Sequence, residues 1–135
     1  MARVDLTVAL CKSEREGKFF GIVTVPGLPD AHGDVFSPAE VEQMCHRFMC
    51  DYALSKADHS PDVEHSGRSA DADLLENFVA PQDLMLGGKP VKAGSWVQGW
   101  QVHDPVVKRE IDEGKLTGLS LEGTGVRRPM EVANA

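Results

Sequence analysis

Basic residues are in short supply in this chain, with 14 Lys and Arg against 21 Asp and Glu and a net charge of −7. No strongly basic stretch exists, which excludes a nucleic-acid binder that works by neutralising phosphates. Long apolar runs are missing too: nothing approaches the roughly 18–20 residues that a membrane span needs. The opening residues, Met1-Ala2-Arg3-Val4-Asp5, lack the apolar core and small-residue cleavage site of an export signal. Cysteine is limited to Cys11, Cys45 and Cys50, an odd number without the spacing of a disulfide framework. Reduced, buried thiols and a cytoplasmic setting are the expectation.

What remains is an ordinary globular composition, 41% hydrophobic and 26% charged. Its 135 residues suffice for one hydrophobic core. We assign residues 1–123 to a single domain and 124–135 to a short tail, and find no internal repeat. Residues 2–11 alternate as a strand, and Phe19 to Val25 forms a second that pairs with it. Pro26-Gly27 breaks the pattern. Asp30 and Asp34 flank Gly33 in a tight turn that lacks the offsets of a calcium loop. Ser37 then caps a helix, with Pro38 at its first position and Glu40 closing a capping box. The helix runs from Pro38 to Leu54, and Val41, Met44, Cys45, Phe48, Met49 and Tyr52 form its buried stripe.

Residues 55–73 are polar, with Val63 to His65 as a short strand. Leu74 to Val79 is a further strand, and Leu84 to Val91 turns at Gly87-Gly88. Gly94 to His103 is the clearest strand, with Trp96, Gln98, Trp100 and Val102 on one face. A short helix from Pro105 to Glu113 ends at Gly114. The last strand, Leu116 to Gly123, carries Ser120 opposite in phase to Leu119 and Leu121. Six or seven strands and two helices predict an α+β fold. We expect a mainly antiparallel sheet curled into a barrel, with one long and one short helix packed outside.

Ser120 is the candidate nucleophile, because a hydroxyl on a rigid strand flanked by Gly118 and Gly123 becomes reactive when a base lies beside it. The plain alternative is a serine that faces water. His65 and His59 are the candidate bases. Cys45, Cys50, His59 and His65 also form C-x4-C-x8-H-x5-H, donor types that zinc accepts at a spacing unlike the known fingers.

Several segments taken in order resemble a known family. They are Gly21-Ile22-Val23-Thr24-Val25-Pro26-Gly27, Asp30 to Ser37, Val63-Glu64-His65-Ser66-Gly67 and Leu75-Glu76-Asn77-Phe78-Val79-Ala80-Pro81. Val91 to Val97 and Gly114 to Gly123 complete the series. The series is similar to the tailed-phage prohead maturation proteases, in the XkdF-like branch, over residues 19–123. The resemblance implies an assemblin-like barrel and a serine endopeptidase that processes scaffold and capsid precursors. It places the protein in the host cytoplasm, inside the assembling prohead.

Position by position, the resemblance makes Ser120 the nucleophile and His65 the base, with Glu76 as the first choice to orient the imidazole. Glu122 stands where the family often has a small residue and competes with Glu76 for that role. Backbone N–H groups near Ser120, or Arg127 or Arg128, would stabilise the oxyanion. No cofactor, metal, nucleic acid or membrane is implied. The partners would be phage scaffold and capsid precursor proteins, and a homodimer or higher assembly is expected. A catalytically inactive scaffold or interaction domain on the same fold is the alternative.

Overall fold

The computed structural model describes the backbone of residues 2–12, 16–30, 32–54, 62–63, 71–114 and 118–125, and side chains over 10–11, 16–30, 32–54 and 71–114. Among the described residues ten elements follow in chain order: β1 (Ala2–Lys12), β2 (Lys18–Thr24), α1 (Pro38–Leu54), β3 (Asp62–Val63) and β4 (Ala72–Val79). Then come β5 (Leu84–Leu86), β6 (Lys89–Val91), β7 (Trp96–Val102), α2 (Pro105–Asp112) and β8 (Gly118–Gly125). The fold is α+β, as expected. Every strand pairing is antiparallel, in a six-stranded sheet ordered β3-β8-β1-β2-β7-β4 and a separate β5-β6 hairpin. β8 runs through Thr124 and Gly125, two residues into the stretch expected as tail.

The expected barrel closure is not seen among the described residues. The edge strands β3 and β4 do not pair, and the sheet stays open between them. Closure needs both edges to offer a matching stagger of ladder bonds, and β3 offers only two residues. Helix α1 also reaches β4 at Leu74, whose N–H donates to the Tyr52 hydroxyl (3.4 Å).

Local chemistry sets both helices. Before α1, the Ser37 N–H donates to Glu40 Oε1 (3.0 Å) and the Glu40 N–H donates to Ser37 Oγ (3.2 Å), a reciprocal capping box. Val41, Cys45 and Phe48 are its buried face. Met49, expected on that face, is 38% exposed, because it lies one position past Phe48 on the shoulder of the helix. Before α2, Asp104 Oδ1 accepts from the Val106 N–H (2.9 Å) and Val107 N–H (3.3 Å). At the other end Gly114 follows in the left-handed conformation (φ 74°), where a side chain would be strained. Replacing Asp104 with alanine should cost about 1 kcal/mol, read as a lower urea midpoint. An unchanged midpoint would remove Asp104 from the cap.

Among the described residues the sheet is buried on both faces around β2 and β7. On one, Phe19, Val23, Trp96 and Trp100 pack under Val41, Cys45 and Phe48 of α1 and Val107 of α2. On the other, Val97, Ala80 and Val91 are packed by Phe20, Ile22, Phe78 and the β5–β6 leucines. β7 is the spine between them: Trp96, Val97, Gln98 and Trp100 are each at most 3% exposed. The polar groups of Trp96, Gln98 and Trp100 are joined in one network with Asn77. Asn77 Oδ1 accepts from Trp96 Nε1 (2.8 Å) and Gln98 Nε2 (3.0 Å), and Gln98 Oε1 accepts from Trp100 Nε1 (3.0 Å).

Candidate active site

Ser120 lies in the interior of the sheet's ladder. β8 is flanked by β1 on one side and β3 on the other, and position 120 is in register with Thr7 of β1 and Asp62 of β3. Ala9 is in register with both Ile22 and Gly118. Ile22 packs into the cluster away from the helices. By the two-residue period of a strand, positions 118, 120 and 122 therefore share the helix-free face of the sheet. Positions 119 and 121 are in phase with Leu10, which belongs to the helix-side core. The phase read from the sequence thus matches the ladder.

The other expected site residues divide. His65, His59, Arg127 and Arg128 lie outside the described residues. His65 follows Val63 by two residues in the chain, and Val63 is in register with Leu119. Glu122 is on β8 itself, in register with Asp5.

Glu76 lies on β4, at the sheet edge opposite β3, with β7, β2 and β1 between it and β8. Four strand steps amount to roughly 19 Å measured along the sheet. There its carboxylate pairs with the Lys18 ammonium, which in turn sits 4.7 Å from the centre of the Phe20 ring. Glu76 also covers Gly99. A Cβ at position 99 would meet Glu76 Oε1 at 3.0 Å and Glu76 Cβ at 3.3 Å, so a side chain there would require Glu76 to give way by a few tenths of an ångström. The structure does not bring Glu76 to the Ser120 strand, and the carboxylate is engaged in holding β2 against β4 across β7.

An imidazole–carboxylate pair does occur elsewhere: His103 Nε2 lies 2.8 Å from Asp73 Oδ2, both about half exposed. It bridges the end of β7 to β4, so it belongs to the same distant edge as Glu76. The His103 N–H also donates to the Asp71 carbonyl (2.8 Å). The pair ties the start of the α2 connection to the sheet.

The zinc alternative loses its shared cysteine pair. Cys45 is fully buried under the sheet, with its carbonyl and Sγ both accepting from Asn77 Nδ2 (3.0 and 3.3 Å), whereas Cys50 is exposed. Five residues turn the helix by well over a quarter-circle, so the two thiols diverge. Among the described residues no three His, Cys, Asp or Glu side chains gather as a metal site would need. Burial also pushes the Cys45 thiol up to about 11, against a smaller lowering by Asn77, and raises Cys11. A disulfide-exchange reagent at pH 8 should therefore modify Cys50 rapidly and reach Cys11 and Cys45 only on unfolding. Peptide mapping of the native protein checks this, and rapid modification of Cys45 would contradict the packing described.

Among the described residues no helix is long and apolar enough to cross a membrane. No solved structure matches the chain. The family described as "Putative phage serine protease XkdF" matches residues 7–128. The phage-like element PBSX protein XkdF of Bacillus subtilis (strain 168) is 36% identical over 115 residues, covering 84% of this chain and 39% of that protein. A second protein of the same organism, "Uncharacterized protein YqbD", is 34% identical over 116 residues, or 85% of this chain and 34% of its own length. The chain thus spans well under half the length of these two relatives. On the match over residues 7–128 and the identity to XkdF, the chain belongs to the XkdF family of phage serine proteases.

Proposed function

We propose that the chain is a serine endopeptidase that processes scaffold and capsid precursor proteins inside an assembling phage head, with Ser120 as nucleophile and His65 as general base. The observation that carries this reading is the pairing of β3 with β8 at Asp62–Ser120 and Val63–Leu119. The segment that leads into His65 is laid against the strand that holds Ser120. Two residues of chain span at most about 7 Å, which is the reach from Val63 of β3 to position 65.

The chemistry follows from the residue types. A serine hydroxyl is a weak nucleophile until an imidazole takes its proton as the oxygen attacks the scissile carbonyl carbon. Collapse of the tetrahedral intermediate breaks the C–N bond, and the imidazolium returns the proton to the leaving amine. Water, deprotonated by the same imidazole, then attacks the acyl-enzyme and restores the serine. None of these steps needs a cofactor. Backbone N–H groups beside Ser120, or Arg127 or Arg128, would hold the oxyanion. An assemblin-type barrel, which the resemblance attaches to this activity, would here be met by a sheet left open between β3 and β4. Concentration of enzyme and precursors inside the head would favour a dimer or higher assembly.

The test is co-expression with the scaffold and capsid precursors of the same phage, followed by mass analysis of the products. Cleavage that depends on both Ser120 and His65 is expected. Intact precursors bound to the chain would instead favour the non-catalytic interaction domain.

A further inference from the structure

The edge formed by β4 is protected along one half and open along the other. Among the described residues β4 pairs with β7 alone. At its two ends the Asp71 carbonyl accepts from the His103 N–H and the Ala80 N–H donates to the Ser95 carbonyl, both at 2.8 Å. Residues of an antiparallel strand turn their main-chain groups alternately to one neighbour and the other. Positions 71, 73, 76, 78 and 80 therefore face β7, and 72, 74, 77 and 79 face outward, with the phase switching at the irregularity between Leu74 and Glu76. The outward Leu74 N–H is covered by the Tyr52 hydroxyl (3.4 Å), and Leu75 is the extra residue of the irregularity. Bulges and covering groups are the usual means of stopping an edge from pairing. Among the described residues neither protects Asn77-Phe78-Val79, each of which is half-buried.

Helix α1 supplies an apolar shoulder over this edge. Cys45 and Tyr52 both bond to β4, at Asn77 and Leu74, so the helix lies along the strand. Phe48 turns inward to Trp96 of β7, at 5.7 Å between ring centres. Met49 is turned about 100° from Phe48 and so stands on the outer shoulder, 38% exposed, while Leu75 on the edge strand is 45% exposed. Glu42, seven residues before Met49, shares that shoulder and is exposed. We propose that the open half of the β4 edge is a docking strand for an extended segment of the precursor proteins. Such a segment would carry a large apolar side chain for Met49 and Leu75 and a basic one for Glu42. The choice of partner rests on the peptidase reading above. The edge lies four strands from β8, so the docked segment is separate from the bond that is cut. Positions 77 and 79 would supply main-chain hydrogen bonds, and the flanking side chains would select the sequence. A second copy fits less well: pairing edge to edge would set another α1 and another Glu42 against this one, in a chain of net charge −7.

The experiment measures binding of peptides of about 15 residues, roughly 50 Å when extended, that tile the scaffold and capsid precursors of the same phage. The purified chain is used as wild type, Val79→Pro and Leu75→Lys, with circular dichroism melts alongside. Proline at 79 removes an N–H that faces away from β7, a position where an edge strand accepts it. Leu75→Lys, at an exposed position, keeps the test decisive should the proline destabilise the strand. A peptide with apolar and basic side chains should bind wild type and slow amide hydrogen exchange at Asn77 and Val79. Either substitution should weaken it on the order of tenfold, while fluorophosphonate labelling of Ser120 stays the same in all three proteins. Binding that neither substitution weakens, or no binding by any peptide, would overturn the docking strand and leave the peptidase reading standing. A wild-type dimer that both substitutions dissociate would place a second copy on the edge and overturn the partner proposed. Peptide binding at the edge of a wild type whose Ser120 is never labelled would support the docking strand and overturn the catalytic reading alone.

Discussion

Changing Ser120 to alanine should abolish precursor cleavage, with a loss on the order of 10⁶-fold in kcat, while the protein stays folded. The substitution removes one oxygen from a strand held on both sides, by β1 and by β3. His65→Ala should bring a comparable loss, since a serine without a base is little better than water. The double variant should then be no slower than either single one, because the two groups work as one unit. Cleavage assays on the three proteins, with melts alongside, check all of this at once. Losses that simply add would mean that the two residues act independently and that the dyad is wrong.

Trp100 should be the most costly single truncation in the core. It is 1% exposed, meets Tyr52 of α1 edge-on at 6.2 Å between ring centres, and donates Nε1 to Gln98 Oε1. Trp100→Ala should lose about 3–5 kcal/mol, from the vacated volume and the lost contacts. That is a large share of the roughly 5–15 kcal/mol that holds a domain of this kind together. Trp100→Phe isolates the polar part, because it keeps most of the ring but leaves the buried Gln98 acceptor unpaired, at about 1–3 kcal/mol. Urea titrations should rank wild type above Phe and Phe above Ala. An alanine variant within 1 kcal/mol of wild type would show that β7 is not the spine of the fold.

Features decided locally were legible in the sequence. The capping box at Ser37–Glu40 and the 3.6-residue period after it gave α1 its observed bounds, Pro38–Leu54. The tryptophan-bearing strand and the Gly87-Gly88 hairpin were legible for the same reason: their signals span only a few residues. Pairings between distant segments were not. Glu76 is 58 residues from the Lys18 that holds it, and Asn77 is 32 from Cys45. No periodicity encodes such partners. The open sheet is likewise a matter of which edges meet, which strand patterning leaves undecided.

A nucleophilic Ser120, activated by a base on the segment that runs on from β3, should react with a fluorophosphonate in the purified chain. Peptide mass spectrometry of the adduct should then find it on Ser120 alone, stoichiometric in the wild type and missing in His65→Ala. An adduct spread over other serines, or one on Ser120 that forms equally well without His65, would contradict that assignment.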